Sequence, residues 1–266
     1  MQILKRLLDF YIQSSIHVGL ALFSLVYITT FENDLCRHIT YPCCVMFGTI
    51  LGYNFLKYFE VFRQGKFYRF KYFAIILVCG LSVYGFYFFY RRMFDIIKIQ
   101  LLISGILVLI YPLLRKYGIL KMFFVSFVVA YLTAFAYIIA SPMYHGIAAL
   151  DFIKRFVFVC ALMIPFEIYD SQHDDKTMNT LPQKFGIETA KKFGYLMLLL
   201  FVVLDVVNFN VNHNVKIQYL FIDILIAIVI AIAIYFSSIK RSQYYTSFWV
   251  ESIPIFWLGM ILISNI

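Results

Sequence analysis

Residues 166–182 read FEIYDSQHDDKTMNTLP and place a cluster of carboxylates at the end of an apolar segment. The spacing of Glu167, Asp170 and Asp174 at i, i+3 and i+7 predicts that a helix would carry all three on one face. Like charges on one stripe repel each other unless a cation lies between them or some carboxyls keep their protons. Because Mg²⁺ prefers hard oxygen ligands and often shares its coordination sphere with substrate phosphates, the pattern indicates a magnesium site. The alternative is a solvated acidic helix end that faces a basic loop.

The composition predicts a membrane protein. Of the 266 residues, 63% are hydrophobic and 14% are charged, which is more apolar than a soluble domain of this size requires. The formal net charge is +9, and the basic residues lie in short loops between apolar runs. We therefore expect contact with anionic lipids and anionic substrates, and no nucleic-acid partner. The five cysteines show no metal-ligand spacing and are interpreted as small buried hydrophobic residues.

Successive apolar runs predict an all-α, polytopic membrane protein with nine spans. Each run is close to the roughly 20 residues that a bilayer requires. No soluble domain or low-complexity linker interrupts them, so residues 1–266 are expected to form a single domain. The predicted spans are 9–30, 41–59, 72–90, 97–114, 120–140, 152–169, 193–209, 219–236 and 249–266.

The distribution of lysine and arginine predicts the orientation in the bilayer. A cytoplasmic N-terminus places most of the 23 basic residues on the inner side, as the positive-inside rule requires. The acidic stretch is then cytoplasmic as well, and the C-terminus lies outside. Asp205 and Asp223 fall near the outer ends of their spans and are expected to lie at the membrane interface, while Lys154 and Arg155 belong to the outer basic set.

Polar residues also occur inside the first predicted span. Asp9, Gln13 and His17 follow each other at i, i+4 and i+8, so a continuous helix would present them on one face. Such a face usually points into a helix bundle, where it either lines a cavity or forms interhelical hydrogen bonds. Interhelical bonding is the favoured interpretation.

The acidic stretch resembles the second aspartate-rich motif of the UbiA superfamily, the intramembrane prenyltransferases. The family pattern is Asp-x-x-Asp-x-x-x-Asp, then a short spacer and Thr-Leu-Pro. Here Glu167, Asp170 and Asp174 take the acidic places, and residues 180–182 are Thr-Leu-Pro. The first acid is glutamate instead of aspartate, and the spacer is about one residue shorter. The resemblance implies a UbiA-like bundle of nine transmembrane helices around a central cavity.

A second region departs from the family pattern. Residues 52–66, GYNFLKYFEVFRQGK, stand where the family has Asn-x-x-x-Asp-x-x-x-Asp. Asn54 matches the asparagine, whereas Tyr58 and Phe62 replace the two aspartates, so one metal site is expected to be lost. Lys57 either supplies positive charge to a diphosphate or extends from a helix end toward the membrane surface.

A third region resembles a tyrosine followed by a basic pair that the family often has after the fourth span. Tyr111, Arg115 and Lys116 occupy these places. Arginine offers a planar fork for phosphate oxygens, and lysine offers a mobile point charge. Anchoring at the cytoplasmic membrane surface is the alternative role for the basic pair.

The resemblance implies transfer of a prenyl group from a polyprenyl diphosphate to an aromatic or other lipophilic acceptor. Mg²⁺ would neutralise the leaving diphosphate, with Asp170 and Asp174 as the catalytic pair. The implied metal ligands are Glu167, Asp170 and Asp174, and the implied diphosphate contacts are Asn54, Lys57, Tyr111, Arg115 and Lys116. Two alternatives stay open: a relative that has lost the chemistry and binds an isoprenoid lipid or membrane partner, and a transporter or channel.

Overall fold

The computed structural model describes residues 2–35, 37–63, 70–114, 116–138, 145–175, 178–212 and 215–266. Within these ranges every regular element is a helix, which confirms the all-α prediction. The α-helices are α1 Gln2–Gln13, α2 Ile16–Glu32, α3 Thr40–Arg63, α4 Phe70–Tyr90, α5 Asp95–Leu114, α6 Gly118–Ala130, α7 Ala136–Ile138, α8 His145–Asp170, α9 Leu181–Phe185, α10 Ile187–Val211, α11 Ile217–Phe236 and α12 Ile253–Ser264. Two π-helical turns, Tyr131–Phe135 and Tyr245–Val250, follow α6 and precede α12.

Six helical segments in the described part of the chain are long and apolar enough to cross a membrane. A seventh results if α1 and α2 together form one broken span. A multi-pass integral membrane protein is thus confirmed, whereas the count of nine spans is not. The six segments are Tyr72–Tyr90, Asp95–Leu114, Gly118–Phe135, Ile187–Val211, Ile217–Phe236 and Tyr245–Ser264.

The first predicted span is not one straight helix. The helical segments Ile3–Gln13 and Ile16–Glu32 meet at an angle of 58°, and Ser15 between them has a left-handed backbone with φ 60°. The prediction of a continuous helix over 9–30 is therefore wrong. The physical reason is a local one, since a left-handed residue cannot continue a right-handed helix.

Because of this break, the polar residues of the first run lie on two different helices. Asp9 on α1 accepts a hydrogen bond from the hydroxyl of Tyr244. His17 on α2 donates from Nε2 to the carbonyl oxygen of Phe248 at 3.0 Å. Both contacts join the start of the chain to the segment that leads into α12, so interhelical bonding accounts for these residues.

The main hydrophobic core lies where α2, α6, α8, α10, α11 and α12 meet. At its centre the ring of Trp257 packs against Phe158, with centroids 4.8 Å apart, and against Phe201 at 6.0 Å. Gly194 lets α10 approach its neighbours closely, since a Cβ there would lie 2.7 Å from Cδ1 of Ile234. Small residues at helix contacts are typical of membrane bundles, where close packing takes the place of the hydrophobic effect.

Candidate functional site

The acidic stretch lies at the C-terminal end of α8. The helix carries Glu167 and ends at Asp170, so the prediction that one helix carries all three carboxylates is correct for the first two. Asp174 follows in a turn, in which its N–H donates to the carbonyl oxygen of Asp170 at 2.8 Å. This bond repeats the i to i−4 spacing of a helix and returns Asp174 to the side of Glu167.

A lysine from another helix joins two of these carboxylates. Nζ of Lys121, on the first turn of α6, lies 3.3 Å from Oε1 of Glu167 and 3.0 Å from Oδ2 of Asp174. The side chain of Glu167 is 1% exposed and that of Asp174 is 18% exposed. The cation that the acidic stripe requires is therefore supplied, at least in part, by the protein. The charge distribution predicts only a cytoplasmic position for Lys121, because its partner Asp174 lies 53 residues further along the chain.

The Thr-Leu-Pro segment positions the acidic turn. Leu181 and Pro182 are buried in the first turn of α9, and the side chain of Gln183 reaches back across the loop. Its Oε1 accepts from the N–H of Thr180 at 3.0 Å, and its Nε2 donates to the carbonyl oxygen of Asp174 at 3.3 Å. The end of the motif thus holds the turn that carries Asp174.

A close backbone approach brings α6 to this loop. A Cβ at Gly118, the first residue of α6, would lie 2.6 Å from the backbone nitrogen of Thr180, and still closer to the carbonyl oxygen of Met178. Real Cβ atoms do not come this close to backbone, so only glycine fits at this position. The loop consequently rests directly on the start of α6, and Lys121 lies within reach of the carboxylates one turn later.

Asn54 and Tyr58, from the region that departs from the family pattern, contact the junction between α1 and α2. Asn54 is buried; its Nδ2 donates to the carbonyl oxygen of Ser14 at 2.8 Å, and its Oδ1 accepts from Oγ of Ser15 at 3.0 Å. The hydroxyl of Tyr58 donates to the carbonyl oxygen of Gln13 at 2.8 Å. These bonds satisfy backbone carbonyls that the end of α1 leaves without a helical partner. The tyrosine in place of the family's aspartate therefore has a structural function here.

Lys57 lies at the same junction. Its Nζ donates to the carbonyl oxygen of Gln13 at 3.4 Å, and its charge also acts on the carboxyl of Glu251. The side chains of Asn54 and Lys57 thus both contact the α1–α2 junction.

Tyr111 and Lys116, two of the three residues of the predicted tyrosine and basic pair, lie near the acidic cluster. Tyr111, near the end of α5, is close enough to Lys121 to act on it electrostatically. Lys116 and Lys184 line a cleft of 320 Å³ together with Asn179. Arg115 lies outside the described residues. The structure therefore brings Tyr111 and Lys116 to the side of the loop that carries the acidic motif.

The donor atoms suit magnesium chemically but do not complete a site. In the described part of the chain, no group of three or more His, Cys, Asp or Glu side chains is arranged to hold a metal ion. Lys121 contacts Glu167 and Asp174, and the other oxygen of Glu167, Oε2, is buried without a hydrogen-bond partner. A magnesium ion here would need oxygens from a substrate, which is its usual mode of binding with one or two carboxylates and phosphates.

A second group of charges, which sequence analysis placed at the membrane surface, is sealed inside the bundle. Nζ of Lys154 lies 3.1 Å from Oε2 of Glu32, 2.8 Å from Oδ1 of Asp205 and 3.4 Å from Oδ2 of Asp223. Nε1 of Trp257 donates to Oδ1 of Asp223 at 2.8 Å. Asp205 and Asp223 are 2% and 1% exposed, so their expected place at the interface is wrong. Interhelical ion pairing draws them inward.

The sealed group extends to α8 residues on either side of Lys154. Nη2 of Arg155 donates to Oγ1 of Thr29 at 3.1 Å. Oδ2 of Asp151 accepts from Nδ2 of Asn33 at 2.7 Å, and its Oδ1 accepts from Asn208 at 3.2 Å. We call the charged members the buried ion cluster: Glu32, Asp151, Lys154, Arg155, Asp205 and Asp223.

Comparison with known proteins gives a likeness in structure. A scan of protein-family models and a search of curated proteins find no match. Among solved structures, that of a digeranylgeranylglyceryl phosphate synthase in membranes is similar, with a TM-score of 0.59 and 15% sequence identity over 98% of this chain and 97% of that chain. The fold that the acidic motif led us to expect is therefore supported by the structure: this chain shares its fold with that synthase.

Proposed function

We propose that the protein transfers a prenyl group from a polyprenyl diphosphate to an aromatic or other lipophilic acceptor. The observation that carries the proposal is the convergence of Glu167 and Asp174 on Lys121, at 3.3 and 3.0 Å, in a fold shared with a prenyltransferase. A departing diphosphate develops negative charge, and prepositioned cations in a water-poor site stabilise such charge strongly. Carboxylates beside a cation are suited to orient it.

The residues around the acidic turn would have different roles in neutralising the diphosphate. Lys121, which two carboxylates hold in position, would face the leaving group. Lys116 and Lys184 line the adjoining cleft and would share the charge of the phosphates. Asp170 and Asp174 would hold Mg²⁺ together with phosphate oxygens, and the ion would supply further neutralisation of the diphosphate. Asn54, Lys57, Tyr111 and Arg115 stay proposed diphosphate contacts.

We further propose that α3 and α8 also cross the bilayer. Together with the six apolar segments and the broken pair α1–α2, they would give the nine spans that the sequence predicts. Both are long enough, with 24 and 26 residues. Charged residues are costly in a membrane helix unless they face the bundle, and Asp151, Lys154 and Arg155 of α8 do so in the buried ion cluster. The same proposal includes a cytoplasmic N-terminus, a cytoplasmic acidic loop, a central cavity and a single domain over residues 1–266.

The test combines turnover with a binding measurement. The double variant Asp170→Asn/Asp174→Asn is titrated with Mg²⁺ and geranylgeranyl diphosphate in detergent, and unfolding temperature and diphosphate release are followed. A ligand at 100 times its Kd stabilises the folded state by about 2.7 kcal/mol, and we expect the double variant to lose this gain and the turnover.

Asp34→Asn provides the matched control, because Asp34 is an exposed acid near the end of α2 that pairs with Arg37. We expect this variant to behave like the wild type. An unchanged magnesium response in the double variant would exclude the acidic stretch as the metal site.

A second candidate is a protein that binds an isoprenoid lipid without reacting it. The observation that favours it is the use of Asn54 and Tyr58 to hold the α1–α2 junction, where the family has a metal-binding motif. In that case the wild type would be stabilised by geranylgeranyl diphosphate and would release no diphosphate with any acceptor. Mass spectrometry of copurified lipids would then identify the bound isoprenoid.

A further inference from the structure

A basic cleft lies between the start of α10 and the end of α11. It has a volume of 810 Å³. One acidic side chain, Glu188, lines it beside four basic ones, so the cleft carries an excess of positive charge. The basic lining residues are Lys191, Lys192, Lys240 and Arg241, and the aromatic ones are Tyr195, Tyr235 and Phe236.

Two of the cations are held in place by the end of α11. Nζ of Lys191 donates to the carbonyl oxygen of Tyr235 at 3.1 Å, and Nε of Arg241 donates to that of Phe236 at 2.9 Å. Cations at the C-terminal end of a helix satisfy its last carbonyls and the negative end of its dipole. Hydrogen bonds thus hold the side chains of Lys191 and Arg241 in the cleft, whereas Lys192 and Lys240 are exposed.

The lining continues into the apolar surface of the bundle. Tyr235 is 67% exposed and Phe236 is 50% exposed. Further along the same two helices, Leu199 and Ile232 are 61% and 52% exposed, as lipid-facing residues are. A basic cleft above an apolar helix surface matches an amphiphile, in which an anionic head adjoins hydrocarbon chains.

The cleft adjoins the candidate site without being part of it. Nε2 of Gln172, in the acidic turn, donates to the carbonyl oxygen of Ile239 at 2.9 Å, and Ile239 directly precedes Lys240. The cleft and the acidic turn therefore share one end of the bundle. None of the cleft's lining residues belongs to the residues proposed to act on the diphosphate.

We propose that this cleft binds a phospholipid with an anionic head group. The phosphate would lie between Lys192, Lys240 and Arg241, where charge-assisted hydrogen bonds to phosphate are strong. The acyl chains would lie along the exposed apolar faces of α10 and α11. The bound lipid would bridge the two helix ends next to the acidic turn.

The test is native mass spectrometry of the full-length protein after titration with phosphatidylglycerol or phosphatidylcholine. We expect tight retention of phosphatidylglycerol and weak retention of phosphatidylcholine. The double variant Lys192→Ala/Lys240→Ala should bind phosphatidylglycerol about thirtyfold more weakly, which corresponds to about 2 kcal/mol for two basic residues. Arg91→Ala/Arg92→Ala, an exposed basic pair after α4, is the matched control and should bind as the wild type does.

Three results would overturn the proposal: equal affinity of the wild type for the two lipids, equal affinity of the wild type and the double variant for phosphatidylglycerol, and displacement of the lipid by inorganic pyrophosphate. The last would assign the cleft to a soluble phosphate compound. The charge-reversed variant Lys192→Glu/Lys240→Glu guards against a folding defect, since it should lose phosphatidylglycerol but keep the unfolding temperature of the wild type in phosphatidylcholine. The readout is binding, so it is independent of whether the protein transfers prenyl groups.

Discussion

Helix α8 carries two clusters of the same chemistry near its opposite ends. Near its C-terminal end, Lys121 joins Glu167 and Asp174; nearer its N-terminal end, Lys154 joins Glu32, Asp205 and Asp223. Both combine one ammonium group with several carboxylates at about the same distances, between 2.8 and 3.4 Å. They differ in access, because Asp174 is 18% exposed while the side chains around Lys154 are at most 3% exposed.

This difference separates a structural cluster from a candidate reaction site. The charges of a sealed ion cluster cannot exchange their partners for water, a ligand or a metal ion. The loss of one member therefore leaves uncompensated charge inside the bundle. The cluster at the acidic turn adjoins the cleft that Lys116 and Lys184 line. A diphosphate from that side could compete with the carboxylates for Lys121, and a metal ion could compete with Lys121 for the carboxylates. Residue type alone does not distinguish the two clusters, whereas burial does.

The largest effect is expected from Lys154→Ala. The variant leaves three carboxylates buried without their ammonium partner, and breaking a buried ion pair in this way costs about 3–5 kcal/mol. Lys121→Ala should cost less, because water reaches Asp174, but it should abolish the binding of geranylgeranyl diphosphate. Unfolding in detergent, followed by circular dichroism, measures the first quantity, and a ligand titration measures the second. Equal losses of stability in the two variants would contradict the distinction drawn between the clusters.

A smaller effect is expected from Gly118→Ala, which tests how the acidic turn is held. The added methyl group would collide with the backbone of Met178 and Thr180, and such overpacking costs about 1–3 kcal/mol. Because the loop must shift, Lys121 should lose contact with Asp174, and diphosphate binding should weaken. Gly105→Ala is the control: a Cβ at Gly105 has open space, and alanine favours a helix by up to about 1 kcal/mol. Similar losses for both glycines would show that the loop contact is unimportant.

Asn54→Ala is expected to have an effect of about 1–2 kcal/mol on stability. It removes two of the hydrogen bonds at the α1–α2 junction and leaves the carbonyl of Ser14 without the amide donor of Asn54. If the junction is its role, affinity for geranylgeranyl diphosphate should stay unchanged. Tyr58→Phe, which removes one hydroxyl contact at the same junction, should cost about 0.5–1.5 kcal/mol. A tenfold loss of affinity in Asn54→Ala would instead support the diphosphate contact that the family resemblance implies.

The smallest effect concerns the contact between α1 and the segment before α12. The hydrogen bond to Asp9 raises the pKa of Tyr244 above its ordinary value of 10.0. A group whose pKa is higher in the folded than in the unfolded state stabilises the fold below its unfolded pKa, and the gain is lost as pH rises through the folded pKa. The unfolding temperature should therefore fall as the pH rises above about 10, the ordinary pKa of tyrosine. The fall should be less steep in Tyr244→Phe. Identical slopes in the two proteins would exclude this contact as a source of the pH dependence.

Local sequence patterns were enough to predict a membrane protein and the acidic part of its candidate site. Long apolar runs favour membrane helices, because a helix satisfies its own backbone N–H and C=O groups without water. The acidic spacing at Glu167, Asp170 and Asp174 followed from helix periodicity, and even the turn that carries Asp174 preserved it. These properties depend only on residues that lie close together in the sequence.

Which charges meet depends on how the helices pack. Lys121 and Asp174 are 53 residues apart, and Lys154 and Asp205 are 51 residues apart, so no local pattern joins them. The break at Ser15 likewise depends on support from Asn54 and Tyr58 of another helix. An ionisable residue near a helix end faces the membrane surface or the bundle according to the partners that packing brings to it. That choice rests on the free energy of burying a charge with a distant partner, which is defined only once the helices are packed.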